Sequence, residues 1–159
     1  MANIRLENNV LEVIDMLKEE AIAFLYEAGG ELLAQTQRNT RVNEGQLKGS
    51  WKLQVDEDTL TATVGSPLEN AIWEEFGTGE FAVEGNGRQG GWWIKVGSGS
   101  NELSPNIANR YKWEKVSKDE NGNITFVFTR GKKPNRALTN AFTTTKPKIN
   151  RRLQQIIRG

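Results

Sequence analysis

Glu74 and Glu75 are the first residues here whose type could do chemistry: two neighbouring carboxylates set between Trp73 and Phe76. A pair of acids can divide general-acid and general-base work when both face one substrate. Adjacent residues diverge on a helix and on a strand alike, and no basic or nucleophilic motif accompanies this pair. Composition narrows the field further. The chain has no cysteine, which excludes thiolate nucleophiles, disulfides and Cys-based metal sites. It has no histidine, which removes the commonest general base and metal ligand. The expectation is a chain that is not an enzyme and takes no metal and no cofactor.

Two further patterns fail on context. Gly85-Asn86-Gly87-Arg88-Gln89-Gly90 spells G-x-G-x-x-G, but a dinucleotide site needs a helix after the loop to meet the pyrophosphate. Trp92-Trp93-Ile94-Lys95-Val96 follows and reads as a strand, so the glycines describe a loop. Asp119-Glu120-Asn121-Gly122-Asn123 opens like a calcium loop, yet Ile124 and Arg130 stand where Gly and a bidentate Glu are required. Trp73, Trp92 and Trp93 could build a stacking platform for bases or sugars. The simpler reading sends one of the tandem tryptophans into the core and the other to an interface, because strand neighbours face opposite ways.

The elements that position these residues follow from periodicity. Trp73 and Phe76, three apart, share one side of a helical turn and are expected to anchor it in the core. Glu74 and Glu75 would then face water or a partner, and Gly77 and Gly79 would end the turn. Upstream, Ile4 and Leu6 suit a short strand, and Asn9 with Glu12 resembles a capping box. Leu11, Ile14, Leu17, Ala21, Phe24 or Leu25, Ala28 and Leu32 then recur at helical spacing, with an acidic opposite face. Gly29-Gly30 marks a kink or a close packing point in that helix. A polar loop is expected over 38–49, then a hairpin from Trp51, Leu53 and Val55 to Leu60, Ala62 and Val64. Two long polar loops are expected over 81–91 and 97–109. Tyr111–Val116 and Ile124–Thr129 flank Asn121-Gly122, a strong hairpin signal, with Ile124, Phe126 and Phe128 as the apolar face.

Residues 135–157 place Leu138, Phe142, Ile149, Leu153 and Ile156 along a final helix that Pro147 should kink or split. The expected fold is α+β: one domain over 1–159, an antiparallel β-sheet packed by a long N-terminal helix and a C-terminal helix, with two long polar loops.

A net charge of +1 gives no global reason for nucleic-acid or membrane binding. No run is long enough to span a bilayer, and no secretory segment opens the sequence, so a protein made in the cytoplasm is expected. No acidic residue follows Glu120, which leaves Lys146, Lys148, Arg151, Arg152 and Arg158 in a basic last quarter. Those cations could contact DNA or a neighbouring subunit. The hydrophobic share is 36%, low for a compact globule. That share and the long loops suit a chain that completes its burial in an oligomer.

Three motifs in order carry a resemblance. Asn43-Glu44-Gly45-Gln46-Leu47-Lys48-Gly49-Ser50 resembles "D-T-G-x-L-R-x-S", with Asn-Glu in place of Asp-Thr. Asn70-Ala71-Ile72-Trp73-Glu74-Glu75-Phe76-Gly77-Thr78 resembles "Y-A-x-x-x-E-F-G-T", with Asn70 in place of Tyr. Pro134-Asn135-Arg136-Ala137-Leu138-Thr139-Asn140-Ala141-Phe142 resembles "P-x-x-x-L-x-x-A-F". Together they are similar to the gene-product-ten-like family of tailed-phage neck proteins, the head–tail connector and tail-completion proteins.

The resemblance implies a structural virion protein, made in the bacterial host and assembled as a homo-oligomeric ring in the neck or tail. Its partners would be other phage proteins such as a stopper, a tail terminator or a tail tube. DNA in the channel would be contacted without sequence preference, and no membrane is involved. Gly45, Leu47, Ser50, Trp73, Glu74, Glu75, Phe76, Gly77 and Thr78 become interface or fold-signature residues, with Trp92 and Trp93 beside them. The alternative is a nucleic-acid- or glycan-binding module using exposed tryptophans and the basic C-terminal segment.

Overall fold

Helical periodicity organises one unit of the chain, Met1–Leu68 with Ala137–Gly159, and strand alternation much of the other, Glu69–Arg136. The computed structural model describes residues 10–42 and 45–158; the expected strand at Ile4 and Leu6 and the Asn9 cap lie outside them. In chain order the elements are α1 (Val10–Asn39), α2 (Gln46–Ser50), β1 (Lys52–Asp56), β2 (Thr61–Gly65), α3 (Glu69–Phe76), β3 (Trp92–Lys95), α4 (Pro105–Arg110), β4 (Lys115–Lys118), β5 (Ile124–Thr129) and α5 (Ala137–Arg158).

In the first unit α1 is a single 30-residue helix that continues through Gly29-Gly30. The glycines mark a packing point: a Cβ on Gly29 would collide with the Leu53 side chain of β1. The apolar stripe of α1 is covered only in part. Ala21, Phe24, Leu25, Ala28 and Leu32 are partly buried, whereas Val13, Ile14, Met16 and Leu17 face solvent.

The polar loop expected over 38–49 is shorter than that, since α1 continues to Asn39 and α2 begins at Gln46. Trp51 closes α2 and is buried; its indole N–H donates to Thr40 Oγ1 at 2.9 Å. Thr40 Oγ1 in turn donates to the Thr36 carbonyl at 2.7 Å. The first hairpin forms over Lys52–Asp56 and Thr61–Gly65; Trp51 and Leu60, expected in its alternation, lie outside the strands, and Leu60 is exposed in the turn with φ of 51°. Leu53 pairs with Val64 and Val55 with Ala62, both strands pack on α1, and Thr61 and Thr63 point outward.

α5 lies antiparallel to α1. Lys148 bonds Glu31 at 3.0 Å and Arg152 bonds Glu27 at 3.2 Å, so four positions forward on one helix are four back on the other. The buried stripe of α5 differs from the expected one. Ala137, Ala141 and Thr145 are the buried residues, Leu138, Ile149 and Ile156 are intermediate, and Phe142 and Leu153 are exposed. Small side chains permit a close approach of the helices, and the larger ones splay to the sides. Pro147 sits inside the helix without splitting it. It withholds one N–H from the Thr143 carbonyl.

In the second unit the sheet has the order β3-β5-β4 and is antiparallel throughout, so the described residues form two sheets where one was expected. The second expected loop contains α4, whose Ser104 cap accepts from the Ile107 N–H. Residues 111–114 stay outside β4, and the Trp113 indole N–H donates to the Ala108 carbonyl at 2.8 Å. The apolar face of β5 is the opposite of the expected one. Val127 is fully buried, paired with Ile94 and Val116, and α4 packs on this strand. Phe126 is exposed and Phe128 half-buried on the outer side. The fold class is α+β.

Candidate functional site

The turn around Glu74 carries the buried charged side chains of the second unit among the described residues. Helix α3 shows its faces the wrong way round for the expectation above. Glu74 and Glu75 are buried, at 5% and 6% exposure, while Trp73 and Phe76 are 46% and 48% exposed. Ile72 is exposed beside them, so the helix turns an apolar ridge to solvent and its two acids inward.

Burying a carboxylate requires compensation, and distant partners supply it. Lys132 Nζ forms an ion pair and hydrogen bond with Glu74 Oε1, leaving Oε2 with no hydrogen-bond partner among the described residues. The Glu74 carbonyl accepts from the Asn135 N–H at 2.6 Å and the Arg136 N–H at 3.2 Å. Spacing within 71–79 could give the common side of Trp73 and Phe76; it could not give the partner of Glu74, which lies 58 positions away.

The residues after the helix form a backbone clamp. The Thr78 N–H donates to the Lys132 carbonyl, the Lys132 N–H donates to Thr78 Oγ1, and the Glu80 N–H donates to the Arg130 carbonyl, each at 2.9 Å. Gly77 makes the bend with φ of 71°, and its N–H donates to the Trp73 carbonyl at 2.9 Å. A Cβ there would lie 2.7 Å from the Phe81 carbonyl oxygen, 2.8 Å from that of Lys132 and 2.8 Å from Pro134 Cδ. Glu-Phe-Gly-Thr and the Pro-Asn-Arg that precedes α5 are therefore two halves of one lock. Arg130 adds ion pairs to Glu80 at 3.1 Å and Glu114 at 3.0 Å; these pairs hold its guanidinium pKa above the ordinary value, with the Glu114 hydrogen bond as the largest cause.

The other motif residues sit apart from this turn in the chain. Gly45 precedes α2 with φ of 77°, Leu47 is buried, and Ser50 Oγ donates to the Leu47 carbonyl at 2.8 Å. Ser50 Oγ also lies 2.6 Å from Ser66 Oγ, tying α2 to the end of the first hairpin. Asn43 and Glu44 lie outside the described residues. Trp92 is partly buried with the Arg88 guanidinium 5.4 Å from its ring centroid. Trp93 is exposed and meets Phe128 edge to face at 5.5 Å. Lys115 and Arg130 lie 5.3 and 5.9 Å from the Phe128 ring.

Of the basic residues, Lys148 and Arg152 pair with α1, and Lys146 Nζ lies 5.8 Å from the Phe142 ring. Arg151 and Arg158 are exposed and form no ion pair among the described residues. Among the described residues no group of three or more acidic side chains could hold a metal ion, and no helix is long and apolar enough to cross a membrane.

Comparison with known proteins adds one finding. No curated protein and no solved structure matches the chain. A family model does match, over residues 5–77: HK97-gp10_like, described as "Bacteriophage HK97-gp10, putative tail-component". The span runs through α1, α2, the first hairpin and α3, and ends at Gly77, the bend of the lock. Residues 5–77, a little under half of the chain, are thus similar to a family described as a bacteriophage tail component.

Proposed function

We propose that this chain is a neck subunit, a head–tail connector or tail-completion protein that acts as a homo-oligomeric ring in the virion. It has no catalytic role, and its partners are other phage structural proteins such as the stopper, tail terminator or tail tube. The observation that carries this reading is the solvent-facing ridge of Ile72, Trp73 and Phe76 on a turn locked from beneath, within the matched family span. Exposed, contiguous apolar side chains on a rigid support are what a protein–protein contact uses. In such a ring the basic residues of α5 meet a neighbouring subunit or line the DNA channel, where phosphate contacts would be sequence-independent. Lys148 and Arg152 are already paired to α1 within the chain, which leaves Arg151 and Arg158 for either contact.

The test is a phage lacking this gene. The expected phenotype is filled heads and complete tails that remain unjoined and are joined by added wild-type protein. Normal particles in its absence would refute the reading. Trp73→Ser and Phe76→Ser should give folded protein that fails to rescue.

A second reading rests on the outer face of the β3-β5-β4 sheet. Trp93, Phe126 and Phe128 share that face with Lys95 and Lys115, an aromatic and cationic surface suited to stacking bases or sugar rings. Tryptophan fluorescence titrations with single-stranded DNA and with oligosaccharides test it. Salt-dependent quenching by DNA, or quenching by sugars, supports it, and an unchanged spectrum removes it.

A further inference from the structure

The sequence has two Asn-Gly steps, Asn86-Gly87 and Asn121-Gly122, and the fold treats them differently. At such a step the backbone nitrogen of the glycine can attack the asparagine side-chain carbonyl, because no Cβ on the glycine obstructs it. The attack requires that nitrogen to give up its proton, so a hydrogen bond made by its N–H holds the reaction back.

Asn121-Gly122 is held. The Gly122 N–H donates to the Asp119 carbonyl at 3.0 Å. Asp119 Oδ1 accepts from the Asn121 N–H at 2.9 Å and from the Asn123 N–H at 2.8 Å, which fixes the turn between β4 and β5. Asn86-Gly87 is not held in this way. The Gly87 N–H has no hydrogen-bond partner among the described residues, and Asn86 is exposed. The Asn86 side chain is tied by the nitrogen that would leave: Nδ2 donates to Glu84 Oε2 at 3.2 Å.

We propose that Asn86 is a site of spontaneous modification, converted by attack of the Gly87 nitrogen to aspartate and isoaspartate, while Asn121 stays intact. The Gly87 nitrogen passes its proton to solvent base and bonds to Asn86 Cγ. The Cγ–Nδ2 bond breaks, and Nδ2 takes a proton from solvent and leaves as ammonia. Water then opens the cyclic imide at either of its carbonyls, so an amide and a water become an acid and an ammonia.

The product does not fit where asparagine did. Gly87 packs against Gly79: a Cβ on Gly87 would collide with the Gly79 carbonyl and lie 2.9 Å from Ala82 Cβ. Isoaspartate adds a methylene to the main chain directly before this close approach. Either product also sets a second carboxylate beside Glu84, in place of the amide that bonded it. Conversion therefore loosens 84–90 from the turn at Gly79. The neighbouring Val83 N–H donates to the Phe76 carbonyl at 2.9 Å, so the loosened loop borders the α3 ridge.

Hydroxylamine cleaves a chain at the imide, so its fragments report where the imide forms. Full-length protein is incubated with hydroxylamine at mildly alkaline pH, once folded and once in denaturant. Cleavage after Asn86 is compared with cleavage after Asn121. The folded protein should favour Asn86 by roughly tenfold more than the denatured chain does, the factor expected for one hydrogen bond on the attacking nitrogen. A ratio unchanged by folding, or one that shifts toward Asn121, overturns the proposal. Protein aged without hydroxylamine should gain isoaspartate at Asn86 and become open to protease within 84–90. Aged Asn86→Gln, whose longer side chain closes the ring far more slowly, should stay resistant. Aged wild type that carries isoaspartate and is as resistant as fresh protein overturns the loosening, as does an aged Asn86→Gln chain cut just as readily.

Discussion

Gly77 and Gly85 have nearly the same backbone angle, φ of 71° and 69°, and opposite surroundings. Nothing lies within 4 Å of a Cβ built on Gly85, whereas one on Gly77 would lie 2.7–2.8 Å from two carbonyl oxygens and a proline carbon. Replacement by alanine should therefore cost about 1–2 kcal/mol at both sites for the left-handed conformation alone. At Gly77 the clashes add to this. The Lys132 carbonyl is held by the Thr78 N–H and cannot retreat without breaking the clamp, so a further 1–3 kcal/mol of overpacking strain is expected, about 2–5 kcal/mol in all. Chemical denaturation followed by the fluorescence of the five tryptophans is the assay, with Gly85→Ala as the control. The difference between the variants isolates the clash from the φ penalty. Equal losses for the two, within about 0.5 kcal/mol, would refute the claim that the turn is locked against residues 130–134.

Phe76→Ala should lose only about 1–2 kcal/mol in thermal melts, below the 3–5 kcal/mol of a fully buried phenylalanine, while abolishing particle rescue. A loss at the buried value would mean that the ring packs inward. Lys132→Ala strands the Glu74 carboxylate and should cost about 1–3 kcal/mol, discounted for the half-exposed lysine; adding Glu74→Gln should recover part of it in a double-mutant cycle. The Asn123 side chain and N–H hold the Asp119 carboxyl below the ordinary carboxylate range, and the Thr59 N–H does the same for Asp56. A lowered folded pKa gives stabilisation that is present above the unfolded value of about 3.9 and is lost as pH falls through the folded values. Carboxyl resonances of both residues should therefore titrate below that value, and Asp119→Asn should flatten the acid limb of the stability curve. Pro147→Ala restores an N–H to the Thr143 carbonyl and should stabilise α5 by about 1–3 kcal/mol in melts; a loss would show that the proline ring makes a contact worth more than the bond.

Periodicity was readable wherever an element was long enough to repeat. The stripe of α1, the Leu53/Val64 hairpin and the Asn121-Gly122 turn all follow from local spacing. Helices of five and six residues, α2 and α4, complete too few turns to stand out from the loops around them. The reversed face of α3 is a different failure. Trp73 and Phe76 do share a side, but local spacing cannot say which side meets the chain when the buried acid's partner is Lys132. The same ambiguity affects β5, where a single valine fills the covered face and the larger phenylalanines lie outside. Along α5, Ala137, Ala141 and Thr145 were missed because a stripe of small residues carries little hydrophobic signal.

The first unit is assembled from both ends of the sequence, with the second inserted at Glu69–Arg136. On a ribosome this fixes an order. Residues 69–136 are contiguous and are complete before α5 exists, whereas the bond from Asn39 Nδ2 to the Ala137 carbonyl must wait for 98 further residues. At about 5–20 residues per second, the nascent α1 stands roughly 5–20 s without its covering helix. Throughout that interval Glu27 and Glu31, which later pair with Arg152 and Lys148, leave their charge beside the uncovered stripe and help to keep it in solution. The negative charge of α1 thus serves first as a solubiliser of a half-made protein and only afterwards as a pairing surface.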